Sequence, residues 1–325
     1  MRKFSSAVIG LGRIGQEYDY SNADDSTVLT HAAGFAYHEG FDLLGAVDPD
    51  ETQRVRFEKK FGRPAYANLQ TLMLHHEPEV FSIGVPTSHH FQIFQEVINY
   101  LPLAVLCEKP IAACVVDARN MLSMAEENNC ALLVNYIRRF DPGVLALRSA
   151  IQNRDFGEIY KGTVWYTKGF MNNGSHFVDL ARFLLGETTH FRIIEKGRDW
   201  AGEDPEPDVC VRFGKTSMYF LAAKEECFLL AGMELIGTKG MITYKESGTI
   251  IEYRKTIPHP VFSGYIVLSQ EKQTIPTDLK RYQWHVLEAL YQNLTKGTPL
   301  NSDGKSATDT LAVVESIFEQ RKGLL

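Results

Sequence analysis

Ser6-Ala7-Val8-Ile9-Gly10-Leu11-Gly12-Arg13-Ile14-Gly15 is a short apolar run leading directly into three glycines spaced as G-x-G-x-x-G. The run has the length and β-branched character of a buried strand. The first glycine suits a tight turn after it. The second removes a side chain where backbone would approach a pyrophosphate, and the third lets a following helix pack closely on the strand. A glycine-rich turn without a ligand reads equally well from the motif alone, so the assignment rests on what surrounds it.

Outward from this stretch, apolar runs at 43–47, 80–85, 104–107 and 131–135 alternate with segments at 51–61, 69–75, 90–101 and 115–128, whose apolar residues recur at helical spacing. Strands alternating with helices require parallel strands and right-handed crossovers, which predicts an α/β doubly wound sheet over residues 1–136. After Asp141-Pro142 the alternation stops. A helix at 144–152, a strand at 159–167 and a helix at 176–185 lead to a strand-rich stretch at 191–270. Helices at 279–295 and 305–320 close the chain, so residues 137–325 read as a second, α+β domain. Within it, Glu203-Asp204-Pro205-Glu206-Pro207-Asp208 reads as a proline-stiffened, solvated connection.

Composition narrows the function classes. The 325 residues suit two domains, and a net charge of −6 gives no footprint for nucleic acid or an anionic membrane surface. No apolar run approaches the roughly 20 residues that span a bilayer, and the apolar stretch at the start is too short for a signal peptide. Five cysteines without a C-x-x-C pair argue against a disulfide framework or thiolate zinc site and for reduced thiols in a cytoplasmic protein.

The second half of a dinucleotide fingerprint is an acid at the end of the second strand, and Asp48 stands there. It would accept ribose hydroxyls and repel a 2′-phosphate, favouring NAD over NADP; Asp48-Pro49-Asp50 also fits a plain turn. Gly15 and Asp48 are 33 positions apart against about 20 expected. The polar, acidic stretch at 17–30 accounts for the excess as an insertion before a helix starting at His31, at the end of the sheet where ligands bind. At the end of the strand at 104–107, Glu108-Lys109-Pro110 sets a lysine toward the same crevice. A lysine there can polarise an oxygen and exchange protons, while Pro110 constrains its backbone, through a cis bond in one geometry. A surface lysine in a loop is the commoner role.

These motifs, together with Pro86-Thr87-Ser88-His89-His90, Tyr136-Ile137-Arg138-Arg139-Phe140-Asp141-Pro142 and Gly174-Ser175-His176-Phe177-Val178-Asp179-Leu180, resemble in order the Gfo/Idh/MocA family of nicotinamide-dependent oxidoreductases. The resemblance spans almost the whole chain. It implies a Rossmann domain, a C-terminal domain on an open mixed β-sheet, a substrate between them, and a homodimer or homotetramer. It further implies that Lys109 is the motif lysine and His176 the catalytic histidine. Gly10, Gly12, Arg13, Ile14, Gly15, Asp48, Pro86, Thr87, His90, Glu108 and Lys109 would contact the cofactor. Lys109, Arg138, Asn172, Asn173 and His176 would contact a substrate.

The capping residues Asn172-Asn173-Gly174-Ser175 predict that His176 begins a helix, whose positive end favours a neutral imidazole able to accept a proton. Many family members carry aspartate where this chain has Asn172, which can orient a hydroxyl but cannot act as a base. His285 and Glu288, three apart on a helix, read as an exposed polar face rather than a metal pair, and no metal site is expected. The expected activity is NAD-dependent hydride transfer involving a secondary alcohol or ketone of a sugar, cyclitol or sugar nucleotide. A dinucleotide-binding sensor without turnover and an enzyme cycling a tightly held NAD are the alternatives.

Overall fold

A computed structural model describes residues 2–22 and 24–324. They form two compact units, Met1–Phe140 with Lys280–Leu311, and Asp141–Leu279 with Ala312–Leu325. The first unit begins with β1 (Phe4–Ile9), α1 (His31–Tyr37), β2 (Phe41–Val47), α2 (Glu51–Phe61), β3 (Ala65–Tyr66) and α3 (Leu69–His75). It continues with β4 (Val80–Ile83), α4 (His90–Ile98), β5 (Ala104–Cys107), α5 (Val115–Glu127) and β6 (Ala131–Val134). The strands form one sheet in the order β3-β2-β1-β4-β5-β6, and every pair is parallel. This is the doubly wound order, with its switch point between β1 and β4.

Local chemistry explains where the elements start and stop. The Asp50 carboxylate accepts the Thr52 N–H at 2.8 Å and opens α2, and Gly62 closes it at φ 63°. Asn68 caps α3 in the same way through the Thr71 N–H at 2.9 Å. β4 and β5 are buried at every position, as strands covered on both faces must be. The predicted sheet of 1–136 is thus present, with β5 bounded as read, the other strand ends displaced by one or two residues, and the short edge strand β3 added.

The second unit contains α6 (Pro142–Gln152), β7 (Ile159–Tyr166), α7 (Ser175–Leu185), β8 (Thr188–Glu195), β9 (Asp199–Trp200) and β10 (Asp204–Pro205). It goes on through β11 (Asp208–Phe213), β12 (Thr216–Ala222), β13 (Gly232–Gly237), β14 (Gly240–Lys245), β15 (Ile250–Pro258), β16 (Ile266–Leu268) and β17 (Gln273–Ile275). Nine strands form a sheet ordered β16-β15-β14-β13-β7-β12-β11-β8, with β17 added to β15, and β9 and β10 make a separate hairpin. β7 and β12 are parallel while their neighbours are antiparallel, so the sheet is mixed. Alternate burial along β11, β12 and β14 puts one face in the core. That face packs on Phe177, Leu180, Ala181 and Leu184 of α7.

Two helices close the chain, α8 (Tyr282–Lys296) and α9 (Gly304–Lys322). Val286, Leu287 and Leu290 of α8 join the first unit's core with Phe4, Phe35 and Phe41. His38 Nε2 lies 3.0 Å from Glu288 Oε2, and its ring packs 5.2 Å from Phe41 and 5.1 Å from Trp284. Glu288 is therefore engaged with a buried histidine and does not belong to the exposed polar face expected for it. A partner just after α1, 250 positions away, draws it in.

Two buried imidazoles give stability a pH dependence. Burial lowers the His38 pKa from 6.5 despite the opposing carboxylates of Glu288 and Glu39. Burial lowers that of His90 too, against hydrogen bonds to the Val85 and Pro110 carbonyls and the charge of Glu108. A histidine whose folded pKa is depressed binds its proton more readily when unfolded. Its contribution is then complete above the unfolded value and is lost as pH falls below it. Tm should therefore be lower at about pH 5.5 than at about pH 7.5, and the difference should shrink in His38→Gln, as differential scanning calorimetry would show.

Candidate active site

The glycine motif sits where β1 ends, beside β4. Gly10 has φ +93°, and a Cβ there would stand 2.8 Å from the Gly84 carbonyl carbon. A Cβ on Gly15 would come within 2.1 Å of Gly10 O. Both positions exclude a side chain because backbone already fills the space. Gly12 differs: nothing lies within 4 Å of its would-be Cβ. Two glycines thus close the turn, and the third leaves open room above exposed main chain, a cradle that fits a dinucleotide pyrophosphate.

The helix expected after this turn is only one π-helical turn, Arg13–Glu17, before the chain enters the insertion. The insertion is tied near both of its ends. Asp19 is 2% exposed and accepts the Leu29 and Thr30 N–H groups and the Thr30 hydroxyl at 2.7–3.0 Å. Lys60 of α2 donates to the Asp19 carbonyl at 2.6 Å. Thr30 in turn caps α1 by accepting the Ala33 N–H. Asp19 is thus a structural clamp for the restart of the helix.

Asp48, half-buried at the end of β2, accepts the Leu11 N–H at 2.7 Å through Oδ2 and the Asp50 N–H at 2.8 Å through Oδ1. Those bonds fix the carboxylate beside the glycine turn and leave it further lone pairs for hydroxyl donors. Pro86 is exposed and Thr87 half-buried on the turn after β4. His90 is 1% exposed, with Nδ1 2.9 Å from Pro110 O and Nε2 3.0 Å from Val85 O. It ties the turn bearing Pro86 and Thr87 to the loop bearing Lys109.

Lys109 is half-buried just beyond β5, its peptide bond to Pro110 is cis, and its N–H donates to Glu108 Oε2 at 3.1 Å. Burial pushes the Glu108 carboxyl up, but hydrogen bonds from His31 and Asn135 and the Lys109 charge outweigh it and hold the group below the usual carboxylate range. Arg138 is half-buried on the short 3₁₀ turn Ile137–Phe140. Its neighbour Arg139 is 4% exposed and donates at 2.8 Å to Asn301 O and Ser306 Oγ, inside the first unit.

Asn172, Asn173 and His176 lie in the second unit, all half-buried. His176 stands in the first turn of α7, as expected, but that turn is not a free helix end. A π-helical segment, Gly169–Gly174, runs straight into α7, and Gly174 has helical dihedrals of φ −57° and ψ −40°. The open N–H groups lie earlier, and the acidic segment binds them. Asp204 accepts the Met171 and Asn172 N–H groups at 2.9 Å each, and Glu206, 2% exposed, accepts the Gly169 N–H at 3.1 Å. A Cβ on Gly169 would stand 2.0 Å from Asp204 Oδ2, so this approach requires the glycine. Pro207 is anchored too, its carbonyl accepting the Tyr166 hydroxyl at 2.6 Å.

The solvated connection expected at 203–208 is therefore mostly a cap for the helix bearing His176. Its composition is that of an exposed loop, and only the π-helical start, 33 positions earlier, reveals its partner. The Asn172 amide donates to Lys168 O at 3.1 Å, one turn back. Removing the half-buried Asp204 carboxylate, whose two oxygens accept the Met171 and Asn172 N–H groups, should cost about 1–2 kcal/mol. Asp204→Ala should lose that much in urea unfolding, while Glu203→Ala, at an exposed position, should be nearly neutral.

Among the described residues no group of three or more His, Cys, Asp or Glu could hold a metal ion, and no helix is long and apolar enough to cross a membrane.

Residues 4–136 match the model of an oxidoreductase family with an NAD-binding Rossmann fold, GFO_IDH_MocA. Over 217 residues the chain is 25% identical to the rhizopine catabolism protein MocA of Rhizobium meliloti, covering 62% of this chain and 64% of that one. It is 32% identical over 182 residues to an inositol 2-dehydrogenase of Rhizobium meliloti strain 1021, covering 49% and 55%. The matched region spans between half and two-thirds of these relatives' length. The crystal structure of the WlbA dehydrogenase from Bordetella pertussis in complex with NADH and UDP-GlcNAcA has the same fold. Its TM-score is 0.78 at 19% identity, over 100% of this chain and 97% of that one.

Proposed function

We propose that this chain, whose residues 4–136 match the model of the GFO_IDH_MocA oxidoreductase family, transfers hydride between NAD and a secondary alcohol, or the matching ketone, of a sugar, cyclitol or sugar nucleotide. The observation that carries the proposal is the open cradle at Gly12 between the closed glycines 10 and 15, with Asp48 bonded to Leu11 beside it. The substrate class draws support from the inositol 2-dehydrogenase relative and the UDP-GlcNAcA complex of the structural neighbour.

Bound NAD supplies the hydride acceptor. Main chain around Gly10, Gly12, Arg13, Ile14 and Gly15 holds its pyrophosphate. Asp48 accepts the adenosine ribose hydroxyls and, bearing negative charge, disfavours a 2′-phosphate. Pro86, Thr87, His90 and Glu108 shape the end of the sheet around Lys109. Lys109 polarises the reacting oxygen, and His176 takes the hydroxyl proton during oxidation. Arg138, Asn172 and Asn173 orient the substrate, with Asn172 as a neutral hydrogen-bonding group.

The test is incubation of the full-length protein with NAD and a panel of sugars, inositols and UDP-sugars while following NADH absorbance. Saturable, substrate-dependent NADH formation supports the proposal. NAD binding with no reduction across the panel would favour a sensor. Isotope exchange into the sugar without net NADH would mark an internal redox cycle.

A further inference from the structure

A closed circuit of buried side chains lies at the end of β5. Asn135 Nδ2 donates both to Glu108 Oε1 and, at 3.1 Å, to Gln283 Oε1. Gln283 Nε2 lies 3.0 Å from His31 Nδ1, and His31 Nε2 lies 3.1 Å from Glu108 Oε1. His31 and Gln283 are 0% exposed and Asn135 1%, so these donors cannot turn to water instead.

One arrangement of hydrogens satisfies the circuit. A carboxylate only accepts, so the NH2 of Asn135 must face Glu108 and also supply Gln283 Oε1. Gln283 then presents its own NH2 to His31 Nδ1, which must be a lone pair, and the His31 proton sits on Nε2 facing Glu108. An imidazolium would set N–H against the Gln283 NH2. Flipping that amide would only move the clash to Asn135. The circuit therefore closes with a neutral imidazole and an ionised carboxylate.

We infer that His31, Asn135 and Gln283 are positioning residues for Lys109: they lock the Glu108 carboxylate in place, and its second oxygen holds the Lys109 main-chain N–H at 3.1 Å. The same imidazole lies under the glycine turn. A Cβ on Gly84 would stand 3.2 Å from His31 Cδ2, and Gly84 is the backbone against which Gly10 closes. One ring thus supports both the dinucleotide turn and the lysine loop. Gln283 does so from the start of α8, 252 positions beyond His31. The inference rests on the role proposed for Lys109.

A displacement of about 1 Å at a reacting group can cost about 100-fold in rate. Gln283→Leu, which keeps the bulk and removes the hydrogen bonds, should lower kcat by about 10–100-fold and change sugar KM by less than about threefold. In a Lys109→Ala background the same substitution should add little, because it acts through that lysine. Nitrogen-15 histidine NMR of the full-length protein should show wild-type His31 as the neutral Nε2–H tautomer at neutral pH, and should show that preference lost in Gln283→Leu. A wild-type His31 that is protonated on Nδ1 overturns the inference, whether or not any variant folds. So does a Gln283→Leu loss that adds in full to that of Lys109→Ala. If no sugar reduces NAD, the proposed function fails, while the tautomer still decides whether the circuit exists.

Discussion

Lys109→Ala is expected to lower kcat by about 10²–10⁴-fold, the usual range for a positioned proton-transfer or polarising group. The lysine stands just beyond β5 at the end of the parallel sheet where ligands of this architecture bind. Its main chain is fixed by Glu108 at 3.1 Å and its successor, Pro110, is held through His90 at 2.9 Å. The substitution removes a charge without opening a core cavity, since Lys109 is only half-buried. Tm should therefore change little, and the loss should appear in turnover at saturating NAD and sugar. Lys109→Arg should not restore the rate, because a guanidinium keeps its proton and presents a wider, planar group. Retention of wild-type kcat in Lys109→Ala would remove the lysine from the chemistry.

The second large effect is at His176, where His176→Ala should also cost about 10²–10⁴-fold in kcat. Asn172 cannot take a proton, so between Gly169 and His176 the imidazole is the one side chain that can serve as a base. The neutral form needed for that role does not come from a helix start, because the chain is already helical from Gly169 and its first N–H groups are bound by Asp204 and Glu206. The acid-side inflection in kcat/KM against pH should vanish in the variant. A variant that kept both the rate and the inflection would assign the proton to another group.

Parts of this molecule were legible because their causes are local. α2 and α3 run over the residues read from spacing because Asp50 and Asn68 cap them within the same few positions. β5 is bounded as read because a short, wholly apolar run has one way to be buried on both faces. The glycine motif announced its turn for a similar reason: the backbone approach at Gly10 is made by the chain leaving β4, which any such sheet supplies, and that at Gly15 by Gly10 itself.

What was not legible depended on distant partners. The π-helical turns at Arg13–Glu17 and Gly169–Gly174 carry no pattern of their own. Asp204 and Glu206 have the composition of an exposed loop until the N–H groups they bind are brought beside them. Both closing helices read as part of the second domain, yet α8 belongs to the first unit's core and Val314 and Ile317 of α9 to the second's.

The sequence by itself determined the parallel sheet, the glycine turn and the place of Lys109 just beyond β5, since each follows from short-range periodicity, glycine sterics or a compact motif. Tertiary structure alone decided how those residues are held. A buried hydrogen bond has a direction only once both partners are in place, and His31 meets Gln283 across 252 residues. Folding thus turned a histidine, an asparagine and a glutamine that no motif marked into the support of the lysine that one did.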